Sequence, residues 1–149
     1  MLPILSARLA ELGYQDEALA WANASDDPTA RAQALAKIVP NDPKLVPLLV
    51  DCLKSKDHKR LRFSAAQALG RLGPGAKEAV PALIETLKAV DVGDQMLDEG
   101  IKFACTWALG QIGPEAKEAI PVLQDLSAHY DPTVRAEAKK SLEKIRPAK

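Results

Sequence analysis

Residues with the chemistry of a catalytic or metal site are few in this sequence and are poorly spaced for one. The two histidines, His58 and His129, lie far apart, and neither has a cysteine or carboxylate companion at metal-ligand spacing. The sequence also lacks a GxSxG motif, a Walker-type loop and a GxGxxG loop. We therefore predict a protein that is not an enzyme, with no catalytic residue, no metal site and no cofactor.

The two cysteines, Cys52 and Cys105, occupy apolar positions of helical patterns. This placement indicates small buried side chains, with a disulfide or a reactive thiol as the alternative. Buried free thiols suit the reducing cytosol, so we expect a cytoplasmic location. The amino terminus lacks the pattern of a secretion signal, and no segment approaches the roughly 18 consecutive apolar residues of a membrane helix, so no membrane partner is expected.

A cluster of acidic residues lies in the stretch VDVGDQMLDEG, residues 90–100. Its carboxylates do not have the alternate spacing of a calcium-binding loop. One interpretation is a solvated loop whose acids are favoured at the amino end of the following helix by the helix dipole. The other is an insertion that contacts a partner through Asp94, Asp98 and Glu99.

The composition predicts the elements that must position these residues. Of 149 residues, 25 are Ala and 20 are Leu, whereas only 4% are aromatic. Ala and Leu are strong helix formers, so the composition is typical of an all-helical protein. Twenty basic and twenty acidic residues give a formal charge of +0. This balance argues against a nucleic-acid partner, since domains that bind nucleic acids usually carry a basic excess.

An internal repeat organises the predicted helices. Residues 68–91 and 108–131 are identical at 12 of 24 aligned positions. The octapeptide DPTARAQA at 27–34 returns as DPTVRAEA at 131–138. Repeats with a period of 20 to 50 residues are the sequence signature of arrays built from one stacked structural unit. Each unit here contains two helices, which we call the first and second helix.

Prolines and glycines punctuate the repeat. Each first helix starts after one proline and carries another several residues on, such as Pro81 and Pro121, which predicts a kink at a constant place. Gly73 and Gly113 are each followed by proline, and this pattern predicts a left-handed helix stop between the second helix and the next unit.

The aromatic residues indicate how neighbouring units pack. Phe63 and Phe103 occupy equivalent positions, and Trp107 lies one turn beyond Phe103. The last unit replaces this stripe with Ala136, Lys140 and Glu143. A stripe that packs on the next unit must be polar in a unit that has no neighbour, so we predict a capping repeat. Trp107 is then inter-repeat core, with an exposed anchor for a partner as the alternative.

The two ALGxxGPxAKEAxPxL stretches at 68–83 and 108–123 resemble HEAT repeats, of the short bacterial kind found in phycobilisome lyase-type proteins. The resemblance implies an all-α fold, a right-handed α-solenoid of about four stacked helical hairpins. We expect one domain over 1–149, with HEAT repeats at 40–73, 74–113 and 114–149 and a divergent hairpin or cap at 1–39. It further implies a protein–protein interaction scaffold, or alternatively an accessory bilin lyase-type subunit acting on phycobiliprotein chromophores.

In such a solenoid the second helices line the concave face, which is where we expect another protein to bind. The predicted binding residues are basic, aromatic or polar positions of the second helices: Arg62, Phe63, Lys102, Phe103, Thr106, Arg135 and Lys139. Arg62, Lys102 and Arg135 each follow an Asp by four or five positions, as Arg31 does, and this pattern also fits a structural ladder tying neighbouring units together. The apolar Leu2, Ile4 and Leu5 offer a contact for a homo-oligomer through the amino-terminal end.

Overall fold

A computed structural model of the chain describes residues 10, 11, 13, 43–55, 58–89 and 95–146, with side chains from residue 98 onward in the last segment. Regular structure in these residues is helical throughout. The α-helices with full bounds are α1 (Val46–Leu53), α2 (Lys59–Leu72), α3 (Val80–Ala89), α4 (Gln95–Ile112), α5 (Ile120–Leu126) and α6 (Pro132–Ile145).

The helices stack as three successive hairpins, α1 with α2, α3 with α4, and α5 with α6. The second helices α2, α4 and α6 pack side by side, with α4 in the middle and in the most extensive contacts. The first helices α1, α3 and α5 follow one another in a second layer. This arrangement confirms the predicted all-α solenoid of stacked helical hairpins.

Each described first helix begins with a 3-10 segment, at Pro43–Leu45, Gly73–Ala79 and Gly113–Ala119. The sequence predicted that the second proline of each unit would kink a continuous helix. The structure instead places Pro81 and Pro121 at the start of α3 and α5, where the missing proline N–H costs no helical hydrogen bond. The chain bends a few residues earlier, at Ala76 and Ala116, whose dihedral angles are not helical.

The glycines after α2 and α4 adopt the positive φ that the sequence predicted. Gly73 has φ 59° and Gly113 has φ 78°. The ψ of Gly73 is −135°, so this residue lies outside the left-handed helical region that we expected. The following proline explains the difference, because proline disfavours helical ψ in the residue before it.

The core lies between the two helical layers and consists largely of Leu and Ala. Leu45, Leu49, Leu69, Leu83 and Leu109 are at most 1% exposed. Small residues of the second helices are fully or almost fully buried: Ala65, Ala66, Ala104, Ala108 and Ala138. The high alanine content therefore has a structural cause, since close helix packing requires small side chains at the contact.

Two glycines mark the closest approaches between second helices. Gly70 of α2 lies against the six-membered ring of Trp107, and Gly110 of α4 lies against Ser141 of α6. A Cβ atom at Gly110 would stand 2.5 Å from Ser141 Oγ and 3.1 Å from Ser141 Cα. Ser141 of α6 therefore leaves no room for a side chain at this position.

We expect Gly110→Ala to lower the free energy of unfolding by about 1–2 kcal/mol, because an overpacking cost of about 1–3 kcal/mol exceeds the gain in helix propensity. Gly100→Ala in the same helix is the matched control. A Cβ there would lie 3.6 Å from the Phe63 ring, an ordinary contact, so about 0.5–1 kcal/mol of added stability is expected. Urea unfolding measures both values, and a stabilised Gly110→Ala variant would contradict the packing described.

Candidate functional site

Two of the predicted binding residues are buried in the structure. Arg62 is 9% exposed, and its Nε donates a hydrogen bond to the Leu53 carbonyl oxygen at 3.2 Å, which satisfies the end of α1. Thr106 is fully buried, and its carbonyl oxygen accepts from Ser141 Oγ at 2.9 Å. The expectation that both residues face a partner is therefore corrected, because each lies at a contact between helices.

The other basic residues of the series have separate roles. Arg135 Nη1 donates to the carbonyl oxygens of His129 at 2.9 Å and Tyr130 at 3.4 Å, and so holds the turn before α6. Lys102 Nζ lies 3.5 Å from Glu99 Oε1 on its own helix. Lys139 is exposed on α6. Both arginines, Arg62 and Arg135, thus bind carbonyl groups of their own repeat.

An ion pair does join neighbouring units, but its basic residue, Lys59, is not one of those predicted. Asp98, only 4% exposed, pairs with Lys59 Nζ at 2.9 Å and joins the first turn of α4 to that of α2. Asp131 instead caps its own helix, accepting from the backbone N–H groups of Thr133 and Val134 at 2.8 and 2.9 Å. Asp94, like Leu2, Ile4 and Leu5, lies outside the described residues.

Glu99 is the centre of a second link between units. Its Oε1 accepts a hydrogen bond from the Tyr130 hydroxyl, and its Oε2 lies 3.7 Å from His129 Nε2. His129 Nδ1 accepts from the backbone N–H of Asp131 at 3.1 Å, so the proton of the neutral ring is on Nε2 and faces Glu99. The turn before α6 is thereby attached to α4. Sequence reasoning considered His129 only as a metal ligand and missed this role.

A groove crosses the exposed face of the second helices, and we call it the second-helix groove. It has a volume of about 280 Å³. Phe103, Ala104 and Trp107 of the central helix α4 supply its apolar part. The complete lining, drawn from all three second helices, is Gln67, Arg71, Phe103, Ala104, Trp107, Glu137 and Lys140.

Trp107 lies between two repeats and is also partly exposed. Its ring packs on Gly70 between two repeats, and its remaining surface lines the second-helix groove. With the Gln111 amide turned so that its oxygen faces the indole, that oxygen accepts from Trp107 Nε1 at 3.0 Å and from Lys144 Nζ at 3.2 Å. These hydrogen bonds hold the indole edge in a defined position.

The charged residues of the groove differ in exposure. Arg71 and Lys140 are exposed at its rim, on α2 and α6, whereas Glu137 is only 8% exposed. Of the predicted binding residues, Phe103 lines this groove, and Phe63 packs against Gly100 instead. Sequence reasoning missed Gln67, Arg71 and Glu137. The repeat could have indicated that these helices share one groove, because Gln67, Trp107 and Lys140 occupy the same position of successive repeats.

Helix α6 has the exposed surface that the sequence predicted for the last unit. Ala136, Lys139, Lys140 and Glu143 of α6 are all exposed, at positions whose counterparts in α4 pack on α6 or line the groove. In the described part of the chain, no three His, Cys, Asp or Glu residues are grouped to hold a metal ion. No helix in that part is long and apolar enough to cross a membrane.

Two family models match the chain. A model of HEAT repeats matches residues 16–97, and a model of the PBS lyase HEAT-like repeat matches residues 101–129. The first match covers more than half of the chain and extends into the segment that we expected to be a divergent cap. The second match includes Phe103 and Trp107 of the groove. No curated protein and no solved structure matches the chain.

The Tyr130 hydroxyl provides a test of the Glu99 link. Its hydrogen bond to Glu99, with a smaller desolvation effect and the nearby negative charges, raises the pKa of Tyr130 above its ordinary value of 10.0. The neutral phenol is the form that the fold stabilises, so this contribution is present below pH 10 and is lost as the pH rises through the raised pKa. In a Tyr14→Phe background, tyrosinate absorbance should titrate above the value of the unfolded chain. Glu99→Ala should remove most of the difference, and an unchanged midpoint would contradict the contact.

The cysteines provide a second test. Burial raises the pKa of Cys105 to about 12, partly opposed by Arg62, and burial together with Asp51 raises the pKa of Cys52 to about 12. Both thiols are free and stay protonated at neutral pH. A thiol-specific reagent at pH 8 should label neither in the native protein and both in denaturant. Rapid labelling of one native thiol would show that its helix opens readily.

Proposed function

The chain belongs to the HEAT-repeat proteins, and from this premise we propose that it is a non-enzymatic binding module whose protein partner occupies the second-helix groove. HEAT repeats generally mediate protein interactions, so the family favours a partner protein without identifying one. One observation supports this site above others. A single groove takes side chains from three consecutive second helices, so a ligand in it would contact one helix of each described hairpin.

The chemistry of the groove is that of an interaction site. Its apolar part contains two aromatic side chains, Phe103 and Trp107, and aromatic residues are enriched among the anchors of protein interfaces. Its rim is polar and charged, as interface rims are. A rigid backbone holds these groups, because the three second helices approach one another closely at Gly70 and Gly110.

The first helices offer a weaker candidate. A shallow depression of about 550 Å³ lies there, lined by Pro81, Ile84, Glu85, Lys88, Ala89 and Glu118. This lining has no aromatic anchor, and most of its residues are exposed. We therefore use the first-helix surface as the control for the second-helix groove.

Site-specific photo-crosslinking tests the proposal. A benzoylphenylalanine placed at Lys140, on the groove rim, should crosslink to one partner protein in an extract of the source cells. The same group at Lys88, which is exposed on the first-helix surface, is the matched control and should not crosslink to this protein. The crosslink at position 140 should be lost when Phe103→Ala and Arg71→Glu are combined. Equal crosslinking from positions 140 and 88 would contradict the assignment of the groove.

A second candidate function follows from the PBS lyase HEAT-like match at residues 101–129. In this alternative the chain is an accessory subunit of a bilin lyase, which assists another subunit in attaching or removing the chromophore. The groove volume of about 280 Å³ lies below the roughly 300–1,000 Å³ of sites that enclose whole small ligands, so the chain alone would hold only part of a bilin. Incubation with free bilin distinguishes the two functions. A shifted absorbance band that Trp107→Ala abolishes would favour the accessory subunit, and an unchanged spectrum would argue against it.

A further inference from the structure

We propose that the partner segment in the second-helix groove inserts one large apolar side chain and places acidic side chains over the adjoining surface of α6. The inference rests on the proposed function and specifies the chemistry of the partner. It depends on two features that meet at the groove. One is the apolar lining supplied by α4, and the other is a pair of exposed lysines on α6.

The apolar lining determines the anchor of the partner. Phe103 and Trp107 are half-buried, and Ala104 is 1% exposed. The one N–H group of the indole is already bound, because the turned Gln111 amide accepts from Trp107 Nε1 at 3.0 Å. This part of the groove therefore contributes to binding mainly when its apolar surface is removed from water, which requires an apolar side chain from the partner.

The charges and the size of the groove favour a single neutral anchor. Glu137 and Lys140 both line the groove, so an anchor would be repelled by Glu137 if it were acidic and by Lys140 if it were basic. A volume of about 280 Å³ is too small for a folded element and leaves room for one large side chain with part of its backbone. A leucine, methionine or phenylalanine of the partner satisfies these conditions.

Two lysines of α6 continue the surface beyond the apolar lining. Lys140 lines the groove, and Lys144 lies one helical turn further on, with its Nζ 3.2 Å from the turned Gln111 amide oxygen. Both lysines are exposed, and neither forms an ion pair with an acid in the described part of the chain. Side chains four positions apart are neighbours on a helix, so the two positive charges repel each other. An acidic side chain placed between them removes this repulsion.

The rest of α6 adds to the positive charge. Four residues of this helix are basic and two are acidic. One of the acids, Glu143, is exposed, but so are Lys139 and, directly after the helix, Arg146. This surface favours a negatively charged partner although the whole chain has a formal charge of +0. Arg71, on the opposite border of the groove, already has an interaction within the protein, so we assign no acid of the partner to it.

A nucleic acid is the other class of partner that a positive surface attracts. Domains that bind nucleic acids usually carry a basic excess, which this chain lacks. A phosphate backbone also carries a negative charge at every nucleotide, whereas a protein segment can place its acids over Lys140 and Lys144 and keep them away from Glu137. The two features of the groove therefore favour an acidic segment of a partner protein.

Peptide titration tests this inference. The probe is a blocked seven-residue peptide with a central leucine, a serine on each side of it and two glutamates at each end, so that either chain direction brings a pair of glutamates to α6. One twin carries glutamine in place of each glutamate, and the other carries alanine in place of leucine. Binding is followed by the fluorescence of Trp107 in a Trp21→Phe variant, in which Trp107 is the remaining tryptophan.

Both parts of the peptide should contribute to its affinity. At low salt we expect the glutamate peptide to bind about fivefold more tightly than the glutamine twin, because exposed ion pairs contribute modestly, and this difference should shrink at about 0.5 M salt. The alanine twin should bind about tenfold more weakly than the leucine peptide, because it buries less apolar surface.

Variants of the lysines assign the charge effect to α6. Lys140→Gln combined with Lys144→Gln should lower the affinity for the glutamate peptide to that for the glutamine twin, and should leave the affinity for the glutamine twin unchanged. Lys88→Gln combined with Lys117→Gln removes the same charge from exposed lysines elsewhere and is the matched control, which should retain the fivefold difference. An equal loss of affinity for both peptides in the α6 variant would overturn the inference, because the lysines would then act through the shape of the groove.

The remaining outcomes separate this inference from the proposed function. Equal affinity of the glutamate and glutamine peptides would overturn the acidic assignment and leave the groove as a binding site. An alanine twin that binds as tightly as the leucine peptide would overturn the apolar anchor. A single-stranded thymidine 20-mer that binds more tightly than the peptide, and weakens in the α6 variant, would show a nucleic-acid partner instead. No fluorescence change with any peptide would also overturn the inference, and the crosslinking at position 140 would then decide by itself whether the groove contacts a protein.

Discussion

The close approach of the second helices is the constraint on which the rest of the structure depends. At the contact between α4 and α6, Gly110 faces Ser141 with no room for a Cβ atom, and the Ser141 hydroxyl bonds the Thr106 carbonyl across the same contact. At the contact between α2 and α4, the Trp107 ring covers Gly70. Solenoid repeats contact only their neighbours, so these junctions determine how each unit is placed on the next.

Polar groups at the ends of the helices complete the junctions. The end of α1 leaves backbone carbonyl groups without helical partners, and the starts of α2 and α4 bring charged side chains into contacts between helices. Arg62 satisfies the end of α1, Asp98 pairs with Lys59, and Glu99 receives the Tyr130 hydroxyl. Through these contacts the charged residues near the helix ends stabilise the fold. The residues that line the second-helix groove lie further along the second helices.

The second-helix groove results from differences between repeats that otherwise share one pattern. The equivalent positions 67, 107 and 140 carry Gln, Trp and Lys, so the large indole of the central repeat has a smaller or more flexible neighbour on each side. Glu137 occupies the position of Ala104 and Ser64, where its neighbours are small and buried. The carboxylate of Glu137, at a position where the other repeats have a small residue, gives the groove a negative charge. The repeat supplies the scaffold, and the departures from it supply the chemistry.

The sequence by itself determined the repeat, the helical fold, the positive φ at Gly73 and Gly113 and the polar face of the last unit. These features depend on local patterns that recur along the chain, which is why they can be read from it. Only the tertiary structure decided which bases pair with which acids, because Lys59 and Arg62 lie within one turn and a small rotation of α2 exchanges them. It alone placed Arg62 and Thr106 inside, and it alone brought Gln67, Trp107 and Glu137 into one groove. Residues far apart in sequence meet there because of the angle and spacing at which the helices pack. The missing side chains of Gly70 and Gly110 allow this spacing, and no local sequence pattern predicts it.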